Sequence, residues 1–315
     1  MKPFAFVFPG QGSQSVGMLD AWGDHPIVVQ TLQEASDALG EDIAALIKNG
    51  HKEALALTTN TQPVMLVSAI VAYRVWLAET GLKPVVVAGH SLGEYTALVA
   101  SGVLTLAQAV PLVRLRAQAM QDAVPVGQGA MAAILGFDAT KIIAICADIT
   151  SAGGEIGSVQ AANFNDPGQT VISGSKAAVD TACELLKAAG AKRALILPVS
   201  APFHSALMRP AAEKLQEALK FVTFATSQIP VINNIDVTVQ TDATTIKDAL
   251  YRQAFGPVRW VECVAAIKAR GVTTIVECGP GKVLAGLVKR IDAELTGAAL
   301  FDPTSLAEVK ALIQS

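Results

Sequence analysis

Short apolar runs alternate with segments of helical composition along most of the chain. The runs Phe4–Phe8, Val85–Ala88 and Thr273–Val276 are rich in β-forming residues and lead into loops that contain glycine or proline, which is typical of buried strands. Helical segments follow two of them, at Glu94–Ala100 and Lys282–Asp292. This alternation predicts an α/β fold whose sheet is mainly parallel.

The most apolar segment is Pro63–Leu77, which is interrupted by the pair Tyr73-Arg74. The segment also contains Ser68, and it falls short of the ~20 residues that cross a bilayer. Proline suits the first turn of a helix, and Gly81 provides a stop. The pattern predicts a helix from Pro63 to Glu79 in the middle of the protein.

The pattern changes between residues 127 and 198. Segments of strand and helix composition follow one another in β-α-β-β-α-β order, which is the ferredoxin-like signature: Met131–Leu135, Ala139–Ala147, Gly157–Ala162, Thr170–Ser173, Lys176–Ala189 and Arg193–Leu197. We therefore expect a small ferredoxin-like domain at 127–198, inserted into a large domain made of residues 1–126 and 199–315.

Composition excludes some function classes. The 315 residues are 51% hydrophobic and 16% charged, which suits a compact core, and the net charge of -3 argues against a nucleic-acid binder.

The N-terminal "MKPFAFVFPGQGSQ" lacks the length and cleavage site of a signal peptide, so we expect a cytoplasmic protein without a membrane anchor. The four cysteines are too dispersed for a zinc site or a disulfide framework, and we expect them to be reduced: Cys146, Cys183, Cys263 and Cys278.

Residues 89–93, Gly-His-Ser-Leu-Gly, form a G-x-S-x-G motif between a predicted strand and a predicted helix. That context places a nucleophilic serine, here Ser91, on a sharp turn. The backbone N–H of Leu92 then faces any oxyanion that develops on the substrate. Because the motif is short and its residue types are common here, a purely structural turn is the alternative.

A serine nucleophile needs a base, and histidine is the commonest one. His25 and His51 have polar, helix-flanking surroundings, and His90 lies on a turn so tight that its side chain should project away from Ser91. His204 lies where a strand and a proline-bearing loop give way to a helix. By elimination, we predict that His204 is the base.

The early loop "FPGQGSQSVG" is rich in glycine but matches neither the dinucleotide nor the Walker A pattern. It follows the first predicted strand, at the sheet edge where active sites form in α/β proteins. The backbone N–H of Gln11 is therefore a candidate second oxyanion donor. The alternative is a turn that simply requires glycine.

Two arginines share the helical segment "PLVRLRAQAMQ", on roughly opposite faces. Arg116 lies on the more apolar face and Arg114 on the more polar one. A buried guanidinium needs a partner, and its planar fork suits a carboxylate. Arg116 is therefore either a binding site for a substrate carboxylate or half of an internal salt bridge.

Several blocks, in order along almost the whole chain, resemble one family. They are "FPGQGSQSVGM" near the N-terminus, "TQP" at 61–63, "GHSLGEYTALVASG" around Ser91, "R-x-x-x-MQ" from Arg116, "GAMAAILG" from Gly129, "NFNDPGQTVISG" from Asn163, "AKRALILPVSAPFH" ending at His204, and "VECGPGKVL" from Val276. Together they resemble the malonyl-CoA:acyl carrier protein transacylases, which charge the carrier for fatty acid synthesis.

The resemblance implies a large α/β hydrolase-like domain, a small ferredoxin-like domain and a set of site residues. The implied roles are nucleophile for Ser91, base for His204, oxyanion donors for Gln11 and Leu92, carboxylate binding for Arg116, orientation of His204 by the main-chain carbonyl of Gln253, and a pocket position for Gln62. The implied reaction is a ping-pong transfer from malonyl-CoA to the phosphopantetheine thiol of acyl carrier protein, through a malonyl-serine ester. No metal or cofactor is implied.

Further expectations concern selectivity and assembly. Phe203, next to the base, should stand near the acyl chain and crowd the α-methyl group of methylmalonyl. A chain without an attached carrier or synthase domain favours fatty acid over polyketide synthesis, and we expect a monomer. Candidates for docking an acidic carrier are Lys192, Arg193, Arg209, Lys214, Lys282, Lys289 and Arg290.

Three rival functions remain open at the sequence level. A serine esterase or thioesterase would use the same serine and histidine with water as acceptor, and its third residue could be Asp122, Asp138, Asp148, Asp166 or Asp180. A methylmalonyl- or polyketide-type acyltransferase would differ only in its pocket. A non-catalytic carrier-binding scaffold would not need the serine, the histidine and Arg116 together.

Overall fold

The computed structural model describes residues 2–315. Its strands are β1 (Phe4–Phe8), β2 (Val86–Gly89), β3 (Gly129–Leu135), β4 (Val159–Asp166), β5 (Gln169–Ser175), β6 (Arg193–Ile196), β7 (Val231–Ile232), β8 (Thr274–Cys278) and β9 (Thr296–Leu300). Its α-helices are α1 (Pro26–Leu39), α2 (Ile43–Asn49), α3 (Lys52–Ala56), α4 (Thr58–Thr80), α5 (Gly93–Ala100), α6 (Leu106–Asp122), α7 (Ala139–Ala152), α8 (Lys176–Ala188), α9 (Arg209–Leu219), α10 (Ala243–Phe255), α11 (Trp260–Lys268), α12 (Val283–Ile291) and α13 (Pro303–Gln314).

Five strands form one parallel sheet in the order β7-β2-β1-β8-β9. The central strand β1 is buried along its whole length. Phe8 pairs with Gly89, so the loops after β1 and β2 leave the same edge of the sheet side by side. This edge brings the "GQGSQ" loop next to the G-x-S-x-G turn.

Side chains of β1 alternate between the two faces of this sheet. Phe4, Phe6 and Phe8 pack with Tyr73 and Trp76 of α4 on one face. Ala5 and Val7 point to the other face, which is covered by α11 and α12. A strand covered on both faces has to be apolar at every position, which is why FAFVF predicted it correctly.

Strands β3 to β6 form a second sheet in the order β4-β5-β3-β6, and every pairing in it is antiparallel. The chain runs β3-α7-β4-β5-α8-β6, which is the predicted order of elements. Helices α7 and α8 cover one face through a cluster that includes Ile134 and Ile172. Met131 and Val171 belong to a separate cluster, which includes Met208 and residues of α6, α9 and α10.

The start of α4 differs from the prediction. The helix begins at Thr58, so Pro63 lies inside it and Gln62 is a helical residue rather than part of the preceding loop. The N-cap residue is Leu57, which has no side-chain capping bond, so the usual sequence signal for a helix start is missing. The end is as predicted, with Gly81 in the left-handed conformation.

Helix α4 has the length and apolar composition of a membrane span, and it is the one helix of residues 2–315 that does. The structure buries 83% of its most apolar 18-residue window inside the protein. It packs against the sheet through Tyr73 and Trp76, as the core helix that its sequence predicted.

Candidate active site

Ser91 stands on a strained turn between β2 and α5. Its φ is +53°, a value that non-glycine residues rarely adopt. The flanking glycines make this turn possible: a Cβ on Gly89 would lie 1.9 Å from the carbonyl of Gly93, and one on Gly93 would lie 2.1 Å from the carbonyl oxygen of Phe8. The motif glycines are thus required by close backbone contacts between β1, β2 and α5.

Asn234, in the loop after β7, holds this turn in place. Its Oδ1 accepts a hydrogen bond of 2.8 Å from the N–H of Ser91, and its Nδ2 donates one of 2.7 Å to the carbonyl of Gly89. The side-chain amide thus bridges the two main-chain groups that flank the turn. No motif in the sequence marks Asn234 as a site residue.

His204 is hydrogen-bonded to the serine. The Oγ of Ser91 lies 2.7 Å from Nε2 of His204, although the two residues are far apart in sequence. On the other side of the ring, Nδ1 lies 2.9 Å from the main-chain oxygen of Gln253 and 3.2 Å from that of Gly256. A carbonyl only accepts, so Nδ1 carries the hydrogen and Nε2 is free to accept the serine proton.

The orienting partner of His204 is therefore main-chain oxygen and not a carboxylate. Among the described residues, none of the five aspartates that could have completed a hydrolase triad is hydrogen-bonded to His204: Asp122, Asp138, Asp148, Asp166 and Asp180. The acceptor closest to Nδ1 among the described contacts is the main-chain oxygen of Gln253.

The electrostatic surroundings keep His204 neutral. Its side chain is only 3% exposed, and burial together with the nearby Arg116 cation lowers its pKa to about 3. The imidazole is consequently unprotonated at neutral pH. That is the form a general base requires.

Arg116 of α6 is buried beside the serine. Its Nη1 donates to Oε1 of Gln62 at 2.6 Å, and its Nη2 donates to Oε1 of Gln253 at 3.0 Å and to Oγ of Ser91 at 3.2 Å. The side chain is 2% exposed, and burial lowers its pKa. Within residues 2–315 it has no carboxylate within ion-pair distance, so the internal salt bridge left open by the sequence is absent.

Arg114 lies on a different face of α6, where its side chain is more exposed and has polar partners. Its Nη2 forms an ion pair with Glu41, and its Nη1 donates to Asn60. It makes no contact with the serine or the histidine. The assignment of the two arginines to different faces is confirmed.

The side chain of Gln253 joins the separate parts of the site. Its Nε2 donates to the main-chain oxygen of Ser91 at 2.9 Å and to Oε2 of Glu94 at 3.1 Å, while its Oε1 faces Arg116. Glu94 also accepts from the N–H of Asn234, and burial raises its pKa to about 7. Glu94 is thus a buried acid that is linked to Arg116 through the side chain of Gln253, and no motif in the sequence marks it as a site residue.

The main-chain N–H groups of the two predicted oxyanion donors have no acceptor among residues 2–315. They belong to Leu92, directly after the serine, and to Gln11, in the loop after β1. The N–H of Ser91 itself is occupied by Asn234. A Cβ on Gly10 would lie 2.9 Å from the main-chain oxygen of His90, which shows how closely the two loops approach.

The remaining predicted residues lie around this set. Phe203 is buried in the cluster that contains Met120, whose sulfur lies 4.0 Å from Nε2 of Gln62. His90 turns away from Ser91, as expected, and its Nε2 lies 2.9 Å from Oδ1 of Asn165. Among the side chains that the structure describes, no three His, Cys, Asp or Glu residues cluster as ligands for a metal ion.

A serine with a neutral imidazole, two unused N–H groups and a buried cation is equipped for acyl chemistry. The family model described as "Acyl transferase domain" matches residues 5–298. The chain belongs to the acyl transferase family. It is therefore an acyltransferase, and the Ser91 turn and His204 both lie inside the matched region.

Relatives from Salmonella typhimurium and Bacillus subtilis share one name. The chain is 52% identical over 308 residues to the malonyl CoA-acyl carrier protein transacylase of Salmonella typhimurium, with 98% of both chains covered. It is 46% identical over 307 residues to the protein of that name from Bacillus subtilis, with 97% of this chain and 96% of the relative covered.

Solved structures of acyltransferases agree with the fold. The acyl-carrier-protein S-malonyltransferase of Burkholderia pseudomallei is 61% identical, with a TM-score of 0.94 over 98% of this chain and 99% of that one. A malonyl-transacylase in complex with a type II polyketide-synthase acyl carrier protein is 48% identical, with a TM-score of 0.95 over the whole of both chains. The mixed α/β fold with a mainly parallel sheet is thus shared with them.

Proposed function

We propose that this chain transfers the malonyl group of malonyl-CoA to the phosphopantetheine thiol of acyl carrier protein through a malonyl ester of Ser91. The observation that carries the proposal is the position of Arg116, a buried cation 3.2 Å from the Oγ of Ser91 that has no carboxylate partner among the described residues. A free carboxylate on the acyl group provides the anion that Arg116 lacks, and it can bind the guanidinium through bidentate hydrogen bonds. An uncharged acyl group leaves the cation unpaired.

The first half-reaction loads the serine. His204 takes the hydroxyl proton of Ser91 through Nε2 while Oγ attacks the thioester carbonyl of malonyl-CoA. The oxyanion of the tetrahedral intermediate accepts from the N–H groups of Leu92 and Gln11. The carbon–sulfur bond then breaks, and the CoA sulfur leaves with the proton held by His204.

The second half-reaction runs the same steps with a new thiol. The phosphopantetheine thiol of the carrier gives its proton to His204, and its sulfur attacks the ester carbonyl. The bond to Oγ of Ser91 breaks, and His204 returns the proton to the serine. Arg116 holds the malonyl carboxylate throughout, and neither half-reaction requires a metal or an organic cofactor.

Phe203 is our candidate for the selectivity between malonyl and methylmalonyl. It is buried next to the base, in the cluster that also contains Met120 near Gln62. An additional methyl group in such a pocket is worth ~1–3 kcal/mol, so we expect a preference and not an absolute block.

The carrier approaches from the sheet edge in this proposal. A groove of about 420 Å³ is lined by the loop of Gln11, by His90 and by the basic residues Lys282 and Arg290 of the α12 region. These two cations are the docking candidates that line this groove. The other five lie elsewhere on the chain and remain predictions: Lys192, Arg193, Arg209, Lys214 and Lys289.

We also propose a finer description of the fold. Residues 1–126 and 199–315 form an α/β hydrolase-like domain around the parallel sheet, and residues 127–198 form a ferredoxin-like domain. The antiparallel order β4-β5-β3-β6 and the two helices on one face support the second assignment. A cytoplasmic monomer acting in fatty acid synthesis completes the proposal.

Intact-mass spectrometry tests the loading step. The protein is mixed with malonyl-CoA without an acceptor, in parallel with Ser91→Ala. We expect a malonyl adduct on the parent protein and none on the variant. Absence of an adduct on the parent would contradict the proposed intermediate.

A further inference from the structure

Thr58, the first residue of α4, lies between the two functional parts of the site. Its Oγ1 donates a hydrogen bond of 2.8 Å to Oε1 of Gln11, in the loop that offers an oxyanion donor. The same hydroxyl accepts one of 3.2 Å from Nε2 of Gln62, the residue that holds Arg116. Thr58 is 4% exposed and thus protected from competing water.

The four side chains form one chain of hydrogen bonds with a fixed direction. A guanidinium only donates, so Arg116 requires the amide oxygen of Gln62 to face it. The amide nitrogen of Gln62 then faces Thr58 and donates to its hydroxyl oxygen. The hydroxyl hydrogen remains for Gln11, so the position of the cation is linked, bond by bond, to that of the oxyanion loop.

The hydroxyl of Thr58 is not needed to begin its helix. Helix α4 has no side-chain capping bond at Leu57, and Thr58 makes no hydrogen bond to its own main chain among the described contacts. Thr61, one turn later, has the local role, because its Oγ1 donates to the main-chain oxygens of Leu55 and Leu57. The two threonines therefore have different roles. Thr58 links residues across the site, whereas Thr61 stabilises the start of the helix.

We propose that Thr58 is a positioning residue that couples the carboxylate-binding side of the site to the oxyanion loop. A carboxylate bound to Arg116 fixes the guanidinium and, through Gln62 and Thr58, fixes the loop that carries the Gln11 N–H. A malonyl group is thereby both bound more tightly and transferred faster. An acetyl group has no carboxylate to bind Arg116, so it does not benefit from this coupling. This inference rests on the proposed function and concerns how the same site selects its substrate.

The test compares the maximal rate of Ser91 acylation from malonyl-CoA and from acetyl-CoA in single-turnover experiments. Thr58→Val removes the hydroxyl at nearly constant volume, Thr58→Ser keeps it, and Thr61→Val is the matched control. We expect Thr58→Val to slow malonyl loading by about tenfold and acetyl loading by about threefold or less, since two neutral hydrogen bonds are lost. The malonyl-to-acetyl ratio should fall at least threefold in Thr58→Val and recover in Thr58→Ser.

A ratio that falls less than threefold in Thr58→Val, or that falls equally in Thr58→Ser or Thr61→Val, overturns the coupling. If Thr58→Val does not fold, Gln11→Ala breaks the same chain from its exposed end while keeping the main-chain N–H, and the same criterion applies. A parent protein that forms no malonyl adduct contradicts the proposed function instead. Normal parent loading with an unchanged ratio contradicts only the role of Thr58.

Discussion

The main-chain oxygen of Gln253 lies 2.9 Å from Nδ1 of His204, on the opposite side of the ring from Ser91. A neutral carbonyl selects the tautomer of the imidazole without adding a negative charge beside it. This agrees with a His204 pKa lowered to about 3, since burial and Arg116 disfavour the imidazolium and no anion among the described residues pairs with it. The base is oriented by the backbone of α10, which ordinary side-chain substitution does not remove.

Removal of any candidate triad aspartate should leave the loading rate within about threefold of the parent, because none of them contacts His204. The variants are Asp→Asn at positions 122, 138, 148, 166 and 180, measured by the rate of Ser91 acylation. A loss approaching the ~10⁴-fold seen when a serine protease loses its triad Asp would show that His204 relies on a carboxylate.

Arg116→Ala should slow malonyl loading by about 100-fold relative to acetyl loading, because a charge-assisted hydrogen bond to the substrate is lost. Arg114→Ala is the matched control on the same helix, where the arginine pairs with Glu41. The ratio of malonyl to acetyl loading rates is the readout. Equal losses on both donors would remove Arg116 from the carboxylate-binding role.

Asn234→Ala should slow malonyl and acetyl loading equally, by about tenfold or more, because the Ser91 turn loses the two side-chain hydrogen bonds that hold it in place. We also expect the free energy of unfolding to fall by about 1–3 kcal/mol, the typical penalty for leaving a buried polar group unpaired. Asn233→Ala is the control: Asn233 bonds to Thr238 and Asp236 in the same loop and not to the turn. Loading rates that fall as much in the control would show that the effect is general destabilisation.

The His204 ring should remain neutral from pH 8 down to pH 5, because its pKa is lowered to about 3. Nitrogen chemical shifts of the imidazole report this directly. Since the ordinary histidine pKa is about 6.5, the unfolded chain takes up a proton at this ring before the folded protein does. The contribution to stability is therefore full above pH 6.5 and is lost as the pH falls toward 3. A ring titration near pH 6.5 would contradict this account of the site.

The sequence predicted correctly those elements whose burial dictates which residue types can occupy each position. Strand β1 is apolar at every position because helices cover both faces of the sheet. In the G-x-S-x-G motif, both glycines are required because neighbouring backbone leaves no room for a Cβ. The start of α4 was predicted wrongly at Pro63. Its true first turn is held by Thr61 bonding to main-chain oxygens, an arrangement that leaves no capping signal.

The contacts that the sequence did not predict connect distant segments through single side chains. Asn234 bonds to Ser91 across 143 positions, and Glu94 meets Gln253 across 159. An asparagine in the loop after a two-residue strand, or a glutamate in the first turn of a helix, is ordinary in sequence. Only the fold shows that both are buried at the centre of the site.

The central claim is that Ser91 holds a malonyl group for a thiol and not for water, and the fate of the isolated malonyl-enzyme tests it most directly. The adduct is freed of excess malonyl-CoA and divided between buffer and holo-acyl carrier protein, and the masses of enzyme and carrier are followed with time. We predict that the carrier removes the adduct at least about 100-fold faster than buffer does and gains the mass of one malonyl group. Loss at the same rate in both, with release of free malonate, would contradict the account.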